Sequence, residues 1–194
     1  WQKLSGESIY DEAARSGVLR HLYMRCGEKS GEVLVCIVAN GAKLHEEDLL
    51  VKMLREAVPE ITGIVLNINR ERTNVVLGRE LRTLWGKPTI RDTLCGLEFE
   101  ISPHAFYQVN RTQTEALYNK AAEYAGLTGA ETLLDLYCGT GTIGLSMASR
   151  VKKLVGAEII PAAVENARKN AAHNHVTNAE FLCGDAKDAA RILY

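Results

Sequence analysis

One stretch restricts the fold more than any other: Leu133-Leu134-Asp135-Leu136-Tyr137-Cys138-Gly139-Thr140-Gly141-Thr142-Ile143-Gly144. Its first residues read as a buried strand, its glycines as a tight turn, and the residues after them as the start of a helix. Gly139 and Gly141 let the backbone turn sharply and let a ligand come close. Gly144 lets the helix lie against the strand. The surrounding chain alternates in the same way. Gln113 to Ala125 is helical, Thr132 to Leu136 a strand, Thr142 to Ser149 a helix and Lys153 to Ala157 a strand. Pro161 to Asn174 is a helix with proline in its first turn, where the missing N–H is harmless, and Ala179 to Cys183 is a third strand. Strand, helix, strand, helix, strand predicts the first half of a doubly wound parallel sheet, an α/β fold.

The first hundred residues follow another rhythm. Val18 to Arg25 and Glu32 to Ala39 are strand-like, joined by the polar Cys26-Gly27-Glu28-Lys29-Ser30-Gly31 loop that a hairpin needs. His45 to Ala57 is an amphipathic helix with Leu49, Leu50, Met53, Leu54 and Ala57 on one face, stopped by Pro59. Ile61 to Asn69 is a strand, and short strand candidates run from Val75 to Ile101. The order β-β-α-β-β predicts antiparallel pairing with a helix on one face. The rhythm changes near Ser102-Pro103, which gives a small α+β domain over 1–101 and the α/β domain over 102–194. The chain opens at Trp1 without methionine, and Asp185 to Tyr194 reads as a helix barely begun; the sequence is expected to be a fragment of a longer protein.

Charge and cysteine content remove several function classes. Lys+Arg 23 against Asp+Glu 24 is nearly balanced, so a nucleic-acid partner needs a local patch. The five cysteines (Cys26, Cys36, Cys95, Cys138, Cys183) contain no C-x-x-C pair, which argues against a disulfide framework, zinc or an iron–sulfur cluster and for a reducing, cytoplasmic setting. The histidines show no metal spacing; His173 and His175, near a helix end, suit its dipole. No apolar run approaches the ~20 residues needed to cross a bilayer, and no signal peptide is visible.

The acids around the glycine turn decide between ligands. Gly139-x-Gly141-x-x-Gly144 alone is a dinucleotide fingerprint, and Glu158 stands at the next strand's end, where a ribose-binding acid is expected. Asp135, however, ends the strand beside the turn. A pyrophosphate placed there would be repelled by on the order of 1–4 kcal/mol. S-adenosylmethionine (SAM) has no phosphate, and its amino group and sulfonium are cationic, so an acid before the glycines favours SAM over NAD. Glu158 would then accept both ribose hydroxyls. Asp185, in Cys183-Gly184-Asp185 at the third strand's end, is placed to accept from an adenine amino group, although Gly-Asp is also an ordinary turn.

The wording of the motif is more specific than its class. Leu134 to Leu145 resembles the glycine motif of SAM-dependent RNA (uracil-5-)-methyltransferases. Upstream, Ser102-Pro103-His104-Ala105-Phe106-Tyr107-Gln108-Val109-Asn110 resembles that family's Ser-Pro…Phe-x-Gln-x-Asn segment, and Ile9-Tyr10-Asp11-Glu12 with Gly17-Val18-Leu19-Arg20-His21 resembles its central domain. The likeness covers nearly the whole chain and is closest to the branch acting on 23S ribosomal RNA. It implies a Rossmann-like SAM-binding domain, present in part, and SAM contacts at Gln108, Tyr137 and Glu158. Read without the resemblance, Gln108 is a polar residue at a helix entry and Tyr137 a packed aromatic at a strand end.

The family's chemistry adds a cysteine thiolate to carbon 6 of uracil, transfers the methyl group to carbon 5 and removes the proton there with a base. In the family, that cysteine, the base and an Asp-Pro-Pro segment lie beyond the third strand's acid, so no catalytic residue is assigned to this chain; its own cysteines read as small hydrophobes. Partner contacts are sought between Arg70 and Arg91, where Arg70, Arg72, Arg79, Arg82, Lys87 and Arg91 accompany Trp85, opposed by Glu71 and Glu80. Basic and aromatic side chains grip phosphates and stack on unpaired bases; the same residues also suit a solvated sheet face. Arg79, Arg82 and Trp85 are the candidates for RNA, ribosomal by resemblance. Three other classes stay open: a SAM enzyme acting on a small molecule, an NAD-linked oxidoreductase, and a binding module.

Overall fold

The computed structural model describes residues 1–187. They form two compact units, residues 1–90 with 102–104, and residues 91–101 with the described chain from Ala105 onward.

The first unit contains a helical turn α1 (Gln2–Ser5), strands β1 (Leu19–Cys26) and β2 (Val33–Ala39), helix α2 (Glu47–Ala57), and strands β3 (Ile61–Ile68) and β4 (Glu80–Gly86), in one sheet of order β1-β2-β3-β4. The β1–β2 hairpin and the β3–β4 pair are antiparallel, but β2 and β3 run parallel. This corrects the all-antiparallel expectation: α2 lies between the two strands in sequence, and a helical crossover brings the chain back in the same direction. Leu50, Val51 and Leu54 of α2 pack with Val35, Ile37, Ile64 and Leu66, while Ala57, expected on that face, is exposed. Residues 75–79, read as strand from their apolar content, are a loop held by two buried amides. Asn67 donates to the Gly78 carbonyl (2.8 Å) and accepts from its N–H (2.6 Å); Asn69 donates to the carbonyls of Val75 (2.7 Å) and Val76 (3.0 Å).

The second unit contains a hairpin of β5 (Ile90–Leu94) and β6 (Leu97–Ile101), helix α3 (Arg111–Ala125), strand β7 (Thr132–Asp135), helix α4 (Thr142–Met147) running into a 3-10 turn (Ala148–Arg150), strand β8 (Lys153–Glu158), helix α5 (Pro161–His173) and strand β9 (Ala179–Cys183). Strands β7, β8 and β9 pair in that order, all parallel, as the alternation predicts. Leu154, Val155 and Ala157 of β8 are fully buried, and Leu145, Val164, Ala167 and Phe181 complete the core. The β5–β6 hairpin belongs to this unit, so the division falls earlier than the change of rhythm suggests. The reason is side-chain chemistry. Asn170 of α5 accepts from the Glu100 N–H (2.9 Å), and Asn174, which caps the end of α5, accepts from the Glu98 N–H (2.9 Å) and donates to the Glu98 carbonyl (2.6 Å). The helix expected at the chain's end is helical at Ala186 and Lys187, and the rest of it lies outside the described residues.

Candidate functional site

The turn after β7 is built as its glycines require. Gly139 (φ 54°) and Gly141 (φ 85°) are both left-handed. A Cβ at Gly139 would meet nothing within 4 Å, so backbone conformation demands glycine there and the space above it is open. At Gly144 the reason is contact: a Cβ would lie 2.8 Å from Leu154 Cδ1 and 3.2 Å from Asp135 Oδ2. The turn is tied to the sheet by the Cys138 N–H, which donates to the Ala157 carbonyl at 3.0 Å.

Two carboxylates grip this turn from adjacent strand ends. Asp135 Oδ2 accepts from the Gly144 N–H (3.1 Å), and Glu158 accepts from the Gly139 N–H through Oε2 (3.2 Å) and from the Ile160 N–H through Oε1 (3.0 Å). The structure thus brings to one turn two acids that lie twenty-three residues apart in the sequence. Burial raises the Asp135 pKa above its ordinary value; the N–H groups of Gly144 and Tyr137 oppose this, and the charge of Glu158 adds to it. Two acids beside an open glycine turn favour a cationic, hydroxyl-bearing ligand and repel a phosphate. Cys138, buried in the same turn, has its thiol pushed up to about 12, first by burial and then by the charges of Asp135 and Glu158. It is the opposite of an activated nucleophile.

The other sequence candidates fall in distinct settings. Tyr137 is 84% exposed, so its ring is not the packed aromatic that strand ends often carry. Gln108 is half-buried in the segment before α3. It is not the helix cap, because Asn110 accepts the Gln113 N–H (3.1 Å) in that role. Asp185 leaves β9 beside Glu158, whose carbonyl accepts the Gly184 N–H (3.0 Å), but its own carboxylate accepts the Lys187 N–H (2.8 Å), as a turn-former does.

In the first unit the candidates separate. Arg82 donates to the Ala42 carbonyl (3.1 and 2.9 Å) and is ion-paired with Glu47 of α2. Trp85 is half-buried against the core, with the Arg55 guanidinium of α2 4.1 Å over its ring. Both are engaged with α2 within this unit. Arg79 is exposed.

Two residues that sequence reasoning missed also hold the turn. Tyr118 of α3 is hydrogen-bonded through its hydroxyl to Thr142 Oγ1 (3.1 Å), and Asn170 donates to the Thr140 carbonyl (3.1 Å). The signal for Asn170 was available: it is a polar residue on the α5 face otherwise made of Val164, Ala167 and Ala171. Among the described residues, no group of three or more His, Cys, Asp or Glu is placed to hold a metal ion, and no helix is long and apolar enough to cross a membrane.

Comparison with known proteins bears on the same region. Residues 127–194 match the family described as Methyltransferase domain. An uncharacterized RNA methyltransferase of Staphylococcus aureus (strain MSSA476) is 46% identical over 181 residues, 93% of this chain and 40% of that protein. Another from Staphylococcus epidermidis (strain ATCC 35984) is 45% identical over 188 residues, 97% of this chain and 41% of that protein. The chain therefore spans about two-fifths of the length of these relatives. The crystal structure of the Pyrococcus abyssi tRNA (uracil-54, C5)-methyltransferase in complex with S-adenosyl-L-homocysteine superposes with a TM-score of 0.77 at 28% identity, over 95% of this chain and 44% of that one. The α/β fold is the Rossmann-like fold of SAM-dependent methyltransferases.

Proposed function

We propose that this chain carries the SAM-binding part of an RNA methyltransferase whose target is carbon 5 of a uridine, in ribosomal RNA by resemblance. The observation that carries the cofactor is the pair Asp135 and Glu158 on one open glycine turn. The fit is chemical. Each carboxylate uses part of its acceptor capacity on backbone N–H groups and has lone pairs left. Asp135 would face the cationic amino acid end of SAM, and Glu158 the ribose hydroxyls. Gly139 faces open space that a ligand can enter, and Tyr137 offers an uncovered ring. Gln108 and Asp185 join the set by resemblance and by strand-end position. SAM, when bound, supplies an electrophilic methyl group.

RNA as the substrate is supported by the relatives being RNA methyltransferases, and uracil carbon 5 by the neighbour's chemistry and the sequence motifs. The thiols of Cys36, Cys95 and Cys138 are all pushed upward, chiefly by burial, the reverse of nucleophile activation. Residues 1–194 are therefore expected to bind the cofactor without methylating RNA. The competing oxidoreductase reading fails on charge, since Asp135 sits where a pyrophosphate would lie.

The test has two arms. Calorimetry on this chain should show binding of S-adenosyl-L-homocysteine and none of NAD; the reverse would replace the cofactor assignment. A longer protein of the relatives' length, incubated with ribosomal RNA and SAM, should yield 5-methyluridine by mass spectrometry. Methylation of another base or of a small molecule only would overturn the substrate.

A further inference from the structure

We infer that Asn170 is a positioning residue for the cofactor turn, holding the peptide between its two left-handed glycines; the inference rests on the reading of that turn as the SAM site. Asn170 is 1% exposed and lies on the core-facing side of α5. Both ends of its amide are used. Oδ1 accepts from the Glu100 N–H at 2.9 Å, and Nδ2 donates to the Thr140 carbonyl at 3.1 Å.

Thr140 stands between Gly139 and Gly141 and is itself 3% exposed. A residue flanked by two left-handed glycines lies outside any helix or strand ladder, so its buried carbonyl needs a donor from elsewhere. Asn170 is that donor. The Thr140 carbonyl shares its peptide plane with the Gly141 N–H, which donates to the Cys138 carbonyl (2.8 Å), and that carbonyl shares its plane with the Gly139 N–H that anchors Glu158. The amide on α5 thus acts on the ribose acid through the backbone, without touching ligand.

The cap of the same helix supplies a control. Asn174, one turn later, bonds both backbone groups of Glu98 and the Asn170 carbonyl, and none of its hydrogen bonds reaches the glycine turn. Substitution at either position loosens the β5–β6 hairpin; only substitution at Asn170 should also loosen the turn. An aspartate at 170 separates the two duties, because it still accepts from Glu100 but has nothing to donate to Thr140.

The experiment compares Asn170→Ala, Asn170→Asp and Asn174→Ala in the 194-residue chain. Amide hydrogen exchange is followed by NMR at Gly139 and Gly141, which donate to Glu158 and to the Cys138 carbonyl, and at Glu98 and Glu100. S-adenosyl-L-homocysteine is titrated by calorimetry. Both Asn170 variants should exchange at least about tenfold faster at Gly139 and Gly141, and Asn174→Ala should not. Glu100 should exchange faster in Asn170→Ala and stay slow in Asn170→Asp. Loss of the bond should weaken S-adenosyl-L-homocysteine about tenfold in Asn170→Ala and less than about twofold in Asn174→Ala. Equal turn exchange in the Asn170 and Asn174 variants, or equal loss of affinity, overturns the inference. If Asn170→Ala does not fold, Asn170→Ser replaces it, its hydroxyl being too short to reach Thr140. If the unsubstituted chain binds no S-adenosyl-L-homocysteine, the cofactor reading fails, while the exchange comparison, which needs no ligand, still decides the role of Asn170.

Discussion

The glycine turn of the second unit and the basic stretch of the first were both read from sequence as ligand contacts, yet the fold treats them differently. At the turn, Asp135 and Glu158 each hold backbone N–H groups and keep acceptor capacity, and Tyr137 stands in solvent. In the basic stretch, Arg82 is paired with Glu47 and Trp85 lies under Arg55. The lesson concerns partners. A carboxylate has more lone pairs than two N–H groups consume, so it can serve fold and ligand together. A guanidinium that meets a carboxylate and a carbonyl has met its match within the chain.

The comparison can be broken most decisively at Glu158. Glu158→Ala removes the acceptor of two backbone N–H groups and the proposed ribose acceptor, and should weaken S-adenosyl-L-homocysteine about a hundredfold by calorimetry, since hydrogen bonds to a charged group are worth roughly 1.5–3 kcal/mol each. Arg82→Ala should leave that affinity unchanged; an equal loss would erase the distinction between the regions.

Gly144→Ala comes next. Its new methyl would press on Leu154 Cδ1 at 2.8 Å and should lower stability by about 1–3 kcal/mol in urea titration. An unshifted midpoint would show that the helix has room to retreat.

A pH series sharpens the picture further. With its folded pKa raised by burial, Asp135 binds its proton more tightly in the folded chain. It therefore lowers stability as pH rises past the unfolded value of about 3.9, and in full above the folded value. Ligand affinity should move the opposite way, falling as acidification protonates Asp135, and Asp135→Asn should flatten that dependence. A profile indifferent to the substitution would remove Asp135 from the site.

The smallest effects belong to the first unit. Arg82→Ala should cost about 1 kcal/mol of its stability, read by chemical denaturation. In a longer, RNA-binding protein Arg79→Ala should instead reduce the salt slope by roughly 0.7–0.9 if it meets a phosphate. A slope changed by Arg82 and not by Arg79 would reverse the roles expected of the two residues.

What was legible in sequence was whatever depends on near neighbours. The alternation from Gln113 to Cys183 and the strand-end position of Asp135 and Glu158 are local patterns, and the parallel sheet follows them. What escaped depends on distant partners. Nothing near Leu97 says that its hairpin will be claimed by one asparagine on α5 and another at its cap, and nothing near Arg82 points to Glu47. The parallel pairing of β2 and β3 could have been drawn from the intervening helix alone, but the β-β-α-β-β order was read as antiparallel throughout. Gln108 entered only through family resemblance, because its position in the segment before α3 carries no periodic signature.

Both tryptophans of the chain, Trp1 and Trp85, attend the same helix. The Trp1 indole N–H donates to the Glu46 carbonyl (2.9 Å) just before α2, and the Trp85 ring lies beneath Arg55 of α2. Indole fluorescence therefore watches one helix leave its sheet. A melting curve followed by that emission describes the first unit, however faithfully it is recorded, and a stabilising ligand at the turn has to be sought with a different chromophore.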